Sequence, residues 1–218
     1  DIMKVLFGEE IGDLKYYWIR NMTLDGMDLI ISRTGWSSEL GYEIYLQDGA
    51  RGTDLWDRIM TAGEPFGLRP GHTSTIRRIE GGMLSYHADM DITTNPFELG
   101  LDRLIALDVP HDFVGKAALA EIKRLGPSRK QVGLILDTSP LASPNTKFWP
   151  VIKGGIVIGK VTSAVYSPRL EKNIAMAMID QDCFELSSIV EVEMTHDTCS
   201  ATMVAMPFYD PKKSIAKN

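Results

Sequence analysis

Alternating apolar and polar positions predict a pair of strands near the beginning of the chain. Met27–Ile31 is apolar and rich in β-branched residues, while Tyr42–Leu46 alternates with the period of two that a half-buried strand shows. Asp25-Gly26, a typical hairpin turn, joins the first of these to another predicted strand over residues 15–24. Residues 32–41 lie between the pair and are polar with two glycines, which predicts a loop.

A period of 3.6 residues predicts helices in the same part of the chain. Residues 1–7 have the pattern of the end of an amphipathic helix, and further helices are predicted at Thr53–Ala62, Ser74–Leu84 and Val114–Leu125. Gly81 and Gly82 would each cost a helix about 1 kcal/mol relative to alanine, so they predict the close approach of another backbone.

Local signals frame the last of these helices. Leu101–Asp108 is expected to form a strand, and Asp112 is expected to cap the helix that follows. Gly126-Pro127 is a typical helix stop. The first 126 residues therefore mix helices with antiparallel strands, as an α+β domain does.

Short β runs at close spacing dominate the sequence from Lys130 onward. Turn signals at Lys153-Gly154-Gly155 and Ser167-Pro168 separate them. The predicted strands are Gln131–Asp137, Val151-Ile152, Gly155–Val165, Asn173–Asp180, Ile189–Met194 and Ala201–Met206. This pattern of short strands and turns predicts a small antiparallel barrel or sandwich over residues 127–210. The first domain is then expected at residues 1–126, and a frayed tail at residues 211–218.

Composition excludes some classes of protein. The net charge is −6 and no basic block is present, so a nucleic-acid partner is not expected. No apolar run approaches the roughly 18–20 residues of a membrane-spanning helix. Cys183 and Cys199 lack metal-ligand spacing; whether they pair is left open, but free thiols are favoured and with them a cytoplasmic location.

The predicted loop at residues 32–41 is the strongest candidate for chemistry. It carries the aromatic Trp36 and the carboxylate of Glu39 between two glycines. An aromatic face beside a carboxylate suits a flat heterocycle with ring N–H donors. Residue types alone favour a plainer alternative, a hairpin loop with a solvated Glu39.

A second polar stretch, residues 85–100, contains several acids. Asp89-Met90-Asp91 lacks the spacing of a calcium-binding loop, so turn and cap hydrogen bonds are favoured over a metal site.

Six stretches in the same order resemble the folate-dependent aminomethyltransferase family, which includes the glycine cleavage T-protein. They are Ser32–Ile44, Arg78–Met83, Tyr86–Asp91 with Thr94–Leu101, Asp112–Leu119, Gly159–Ser163 with Tyr166–Pro168 and Asn173–Ala175, and Pro207–Tyr209. The resemblance implies half of a folate-binding domain followed by a C-terminal β-domain. The family's catalytic acid lies in an N-terminal portion with no counterpart here, so the catalytic residues are expected upstream of Asp1, in a missing segment or a partner subunit.

The resemblance also implies a tetrahydrofolate site. Glu39 occupies the family position that binds the edge of the pterin ring. A carboxylate suits this role, because it can accept paired hydrogen bonds from an amino group and a ring N–H. Trp36 would contact the ring or pack in the core, and Tyr42 would line the pocket or pack. Arg78 would contact the acidic tail of the ligand or form a salt bridge with Glu80 or Glu98, and Tyr86 would lie in a pocket-forming loop.

Two departures from the T-protein pattern bear on the reaction. Ser74 and Thr75 replace an Arg and an Asp, and the loss of this pair puts glycine-cleavage chemistry in doubt. In addition, Ser38-Glu39-Leu40-Gly41 stands where the pattern has Gly-Glu-Asp-Gly. The sequence around Trp36 and Tyr166 more closely resembles the dimethylsulfoniopropionate demethylase branch of the family. The substrate of that branch is a methylated sulfonium, which an aromatic ring can stabilise. The expected function is tetrahydrofolate-dependent methyl transfer from a small-molecule donor. A glycine-cleavage aminomethyltransferase, a non-catalytic folate-binding module and a homodimer are left open.

Overall fold

The Asp25-Gly26 hairpin organises the sheet in the first part of the chain. In the computed structural model, which describes residues 1–217, these two residues have φ angles of 49° and 72°. Positive φ at both positions is the geometry of the tight turns that join twisted antiparallel strands. The turn joins β1 (Ile19–Leu24) to β2 (Met27–Ser32), and β2 also pairs with β3 (Glu43–Leu46). The predicted hairpin is confirmed.

The first strand is shorter than the sequence predicts. Tyr17 has a φ of 67°, which a strand does not tolerate, and the Trp18 N–H donates to the Lys15 carbonyl across a turn. Residues 15–18 therefore lie outside β1.

The chain divides into two units. Among the described residues, the first contains residues 1–74 together with residues 212–217, and the second contains Thr75–Pro211. The division of the sequence at residue 126 stays a prediction. No helix within residues 1–217 is both long and apolar enough to cross a membrane.

One hydrophobic core supports the first unit. Its helices are α1 (Ile2–Phe7), α2 (Gly52–Gly63) and α5 (Ser214–Lys217). The core residues with at most 2% exposure include Ile11, Leu14, Leu29 and Ile31. Ala216 in α5 is buried, so the expectation of a frayed tail is wrong for these residues.

The helix predicted at Ser74–Leu84 is much shorter in the structure. It is α3 (Thr75–Glu80), and Gly81-Gly82 ends it rather than lying inside it. The Met83 N–H donates to the Arg78 carbonyl at 2.7 Å and Gly82 has a φ of 63°, which together form a glycine-terminated helix end. The predicted backbone approach is present, because a Cβ added to Gly82 would lie 3.3 Å from the Cα of Pro207.

Two local predictions before the barrel are wrong. Leu101–Asp108 contains one 3-10 turn, Asp102–Leu104, and no strand. A short apolar run cannot by itself distinguish a strand from irregular chain, and this run pairs with no strand of residues 1–217. The helix after it is α4 (Lys116–Leu125), capped by Gly115 with a φ of 89°; the Asp112 carboxylate instead accepts the N–H of Phe113.

Within residues 1–217, six strands of the second unit close into an antiparallel barrel. They are β4 (Arg129–Asp137), β5 (Trp149–Lys153), β6 (Ile156–Ser167), β7 (Lys172–Asp180), β8 (Ile189–Glu193) and β9 (Thr198–Val204). Their order is β4-β7-β6-β5-β8-β9, and β4 pairs with β9 to complete the ring. Closure decides between the two predicted alternatives in favour of the barrel.

A bulge in β6 shapes the outer surface of this barrel. The register between β6 and β7 shifts between Val161 and Ser163, so Thr162 is an extra residue without a directly opposed partner. Such a bulge breaks the strict alternation of side chains along a strand. Nearby, α3 packs against β6 and β7 through a small cluster that includes Ile79 and Ile174.

Gly82→Ala is expected to destabilise the protein by about 1–2 kcal/mol, because alanine must adopt positive φ against the backbone of Pro207. Urea unfolding measures the loss. Gly71→Ala is the control, since Gly71 has ordinary φ and open space around its Cα. Equal stabilities of the two variants would contradict the close approach of the Pro207 backbone to Gly82.

Candidate functional site

The loop between β2 and β3 is fixed at its base by polar contacts. Ser32 Oγ lies 2.7 Å from Thr34 Oγ1, and the Thr34 hydroxyl donates to the carboxylate of Glu43 on the other side of the loop. Arg33 is buried, with Nη1 donating to the Leu14 carbonyl at 3.1 Å. The start of the loop and the start of β3 are therefore held together within the first unit.

The outer part of the loop presents Trp36 and Glu39. The Trp36 side chain is 40% exposed, and Glu39 is half-buried with its N–H donating to Ser37 Oγ at 3.4 Å. Ser38, between them, has a φ of 57° and turns the chain sharply. The predicted loop is confirmed, and it carries an accessible aromatic face and a carboxylate on one short segment.

Tyr42 lies where its side chain can pack. Its hydroxyl donates to the Ile11 carbonyl at 3.4 Å, and the Arg33 guanidinium lies 5.2 Å from its ring centroid. The ring also packs against the core of the first unit. This arrangement favours the packing alternative for Tyr42, and its role as a ligand contact stays a prediction.

Arg78 belongs to the second unit, where it forms a buried ion pair. Nη1 lies 2.8 Å from Asp89 Oδ2, and Nη2 donates to Ser163 Oγ at 2.8 Å. The prediction that Arg78 forms a salt bridge with Glu80 or Glu98 is wrong. Because the Arg78 side chain is only 7% exposed, the geometry favours a structural ion pair over a direct ligand contact.

The two expected acids have arginine partners of their own. Glu80 Oε2 lies 3.6 Å from Arg169 Nη1. Glu98 accepts Nε and Nη2 of Arg129 at 2.9 and 3.1 Å, and this bidentate pair raises the pKa of Arg129. Each acid is therefore paired with an arginine other than Arg78.

Asp89 is an important residue of this region that local sequence patterns do not reveal. Its carboxylate is fully buried and accepts four hydrogen bonds, from Arg78 Nη1, the Ser85 N–H, Thr162 Oγ1 and Ser163 Oγ. Thr162 and Ser163 reach the same carboxylate oxygen, both at 2.7 Å, because the bulge in β6 breaks the alternation between them.

Tyr86 lies on a tight turn held by this network. The His87 N–H donates to the Met90 carbonyl and the Asp89 N–H to the Ser85 carbonyl, both at 2.8 Å. The Tyr86 ring is 54% exposed and contacts the His87 ring edge-on, with the centroids 4.5 Å apart. Tyr86 is therefore accessible, and its contact with a ligand stays a prediction.

The acids around residue 90 act in turns and ion pairs. Asp91 Oδ1 accepts the N–H and hydroxyl of Thr93 and the hydroxyl of Thr94. The Thr93 bonds, then the Thr94 bond and the charge of Lys160, hold the pKa of Asp91 below its ordinary value. Residues 1–217 contain no cluster of three or more side chains that could ligate a metal.

Two protein-family models match most of the chain. Residues 1–109 match the family model described as GCVT N-terminal domain, and residues 129–210 match the glycine cleavage T-protein C-terminal barrel domain. The chain therefore belongs to the glycine cleavage T-protein family.

Its relatives include two kinds of enzyme at similar identity. It is 34% identical to the dimethylsulfoniopropionate demethylase DmdA of Ruegeria pomeroyi, over 88% of this chain and 52% of the relative. It is also 34% identical to an aminomethyltransferase of Koribacter versatilis, over 98% of this chain and 57% of the relative. The chain thus spans about half the length of the curated relatives it matches.

The fold has a counterpart among solved structures. The crystal structure of the glycine cleavage system aminomethyltransferase T from Bartonella henselae superposes with a TM-score of 0.74 at 22% identity. The match covers 90% of this chain and 53% of that one. At this identity the likeness shows the fold alone.

Asp89→Asn is expected to reduce the free energy of unfolding by about 3–5 kcal/mol, because it leaves the Arg78 charge buried without its counterion. Asp91→Asn is the matched control, two residues away and exposed, and should cost much less. Chemical denaturation of both variants measures the difference. Similar losses of unfolding free energy in the two variants would show that the buried ion pair contributes no more to stability than an exposed carboxylate does.

Proposed function

We propose that this chain is part of a tetrahydrofolate-dependent one-carbon transferase that takes a methyl group from a small-molecule donor. The observation that carries the proposal is the loop between β2 and β3, which presents the Glu39 carboxylate and the Trp36 ring together in a member of this family. Relatives that act as aminomethyltransferases and as a demethylase support one-carbon chemistry.

The loop has the chemistry that a pterin ring requires. A pterin edge carries an amino group and an adjacent ring N–H, and one carboxylate can accept both. Glu39 is half-buried, so such bonds would form in partly desolvated surroundings, where they are stronger than in water. The exposed Trp36 ring offers a planar surface on the same loop, and the base contacts fix the two ends of that loop.

Tetrahydrofolate, when bound, would supply a nitrogen that accepts the one-carbon unit. The residues of this chain would contribute binding and orientation: Glu39 holds the ring edge and Trp36 covers a face and excludes water from it. Positioning of two reactants can by itself supply a large part of a rate enhancement. The groups that act on the transferred carbon are proposed to lie outside residues 1–217, in a further segment or a partner subunit.

Methyl transfer is favoured over aminomethyl transfer by particular side chains. Ser74 and Thr75 replace the Arg and Asp of the T-protein pattern. The Trp36 ring, 40% exposed, can stabilise a methylated sulfonium by cation–π contact worth about 0.5–2 kcal/mol. Identity to the two kinds of relative is equal, so it does not separate the reactions.

A reducing compartment such as the cytoplasm is proposed as the setting. Cys183 and Cys199 are both free thiols, and burial, followed by the charges of Asp197 and Asp137, raises the pKa of Cys199. A thiol with a raised pKa is held in the unreactive protonated form.

Glu39→Gln is expected to weaken tetrahydrofolate binding by at least about 1 kcal/mol, roughly fivefold in Kd, because a charge-assisted acceptor is lost. Isothermal titration of the 218-residue chain measures Kd. Glu64→Gln is the control, an exposed glutamate of the same unit that should leave Kd unchanged. An unchanged Kd for Glu39→Gln would remove the proposed role.

Two assays with tetrahydrofolate separate the candidate reactions, one with a methylated sulfonium donor and one with an aminomethyl-lipoyl carrier protein. Because the groups that act on the transferred carbon are proposed to lie outside residues 1–217, both assays supply the chain together with that further segment or partner subunit. Methyl transfer then predicts turnover with the sulfonium. Turnover with the carrier alone would establish the aminomethyltransferase instead. Tetrahydrofolate binding without turnover in that complete protein would indicate a folate-binding module, and the absence of binding would exclude all three candidate functions.

A further inference from the structure

A cleft on the wall of the barrel has two parts of different character. The outer part has a volume of about 380 Å³ and a mainly apolar lining that includes Phe148 and Val157. The inner part is smaller, about 70 Å³, and its lining is about half polar and includes His87. The two parts are adjacent, because four residues line both: Arg129, Phe148, Lys160 and Met178.

Three nitrogen donors line this cleft. Lys160 Nζ lies 4.1 Å from the centroid of the Phe148 ring and makes no hydrogen bond to residues 1–217. Arg129 uses Nε and Nη2 to bind Glu98, while its Nη1 donates to no acceptor in the described part of the chain. The ring nitrogens of His87 likewise have no hydrogen bond among those residues.

The acids near the inner part are already engaged. Asp89 accepts four hydrogen bonds, and Glu98 holds the bidentate pair with Arg129. Asp91 accepts bonds from Thr93 and Thr94 through Oδ1; these bonds and the charge of Lys160 lower its pKa, and the exposed Asp91 side chain is screened by water. Asp180 is exposed at the end of β7, where water and salt screen its charge. The inner part therefore has more available donors than available acceptors.

We propose that this cleft binds a small organic acid, with the carboxylate in the inner part and the apolar body against Phe148 and Met178. A carboxylate is a pure acceptor, and its hydrogen bonds to Lys160 and Arg129 would be charge-assisted. The outer volume lies in the usual range of small-molecule sites, and its apolar lining would favour a planar or branched hydrocarbon body. The site belongs to the second unit and does not depend on the proposed one-carbon chemistry.

Methyl NMR on the full 218-residue chain tests the proposal, with benzoate as the probe and ¹³C-labelled methionine methyl groups as the sensors. Met178 and Met90 line the cleft, so their signals should shift saturably. Met3 and Met22, in the first unit, should not shift. Benzamide has the shape of benzoate without its charge, and we expect it to bind at least about tenfold more weakly.

Lys160→Gln should raise the benzoate Kd about tenfold. Lys153→Gln is the matched control, because Lys153 is on the same barrel, 3.8 Å from Glu185, and lines neither part of the cleft. The signal of Met203, in the barrel interior, reports that both variants are folded.

Three results would overturn the proposal: no shift of Met178 and Met90 up to the solubility limit of benzoate, equal binding of benzamide, or an unchanged Kd in Lys160→Gln. A competition identifies the source of the acid. Displacement of benzoate by tetrahydrofolate would assign the carboxylate to the folate itself, and unchanged binding would assign it to a separate acid. Either result supports the cleft as a carboxylate site.

Discussion

The buried ion pair of Arg78 and Asp89 is the interaction on which the second unit depends most. It joins the short helix α3 and the nearby turn that carries Tyr86 to the bulged strand β6, which is distant from both in sequence. A buried charge is costly unless it is paired and its remaining positions are filled. Both conditions are met, since hydroxyls and a backbone N–H complete the shell of Asp89. The pair therefore specifies one arrangement of helix, turn and barrel.

Much of the fold was predictable because its signals are local. Strand alternation and turn residues located the hairpin and all the barrel strands to within a few residues. Closure was not predictable, since the pairing of β4 with β9 joins segments about 70 residues apart, and a sandwich fits the same pattern. The errors at Gly81-Gly82 and Leu101–Asp108 share a cause: a short pattern fits more than one structure until tertiary contacts select one.

The candidate site was predictable in part. The loop with Trp36 and Glu39 has a distinctive composition between two clear strands, and the structure presents both side chains from it. The partner of Arg78 could not be read from the sequence. Asp89 is separated from it by a glycine-terminated helix and a turn, and the hydroxyls that complete its shell come from a bulge, which the period of two conceals. Long-range polar networks leave little trace in local sequence patterns.

Closure of the barrel also governs how this protein can meet other chains. A strand at the edge of a sheet offers a row of unpaired backbone groups to any neighbour, whereas each barrel strand already has a partner on both sides. Another polypeptide therefore cannot extend the barrel by strand addition. Any partner of the second unit must recognise its side chains, loops or clefts. In the first unit, β1 and β3 are the outer strands of the three-stranded sheet, and each has one side without a strand partner among residues 1–217. The two halves of one short chain thus offer different routes to assembly.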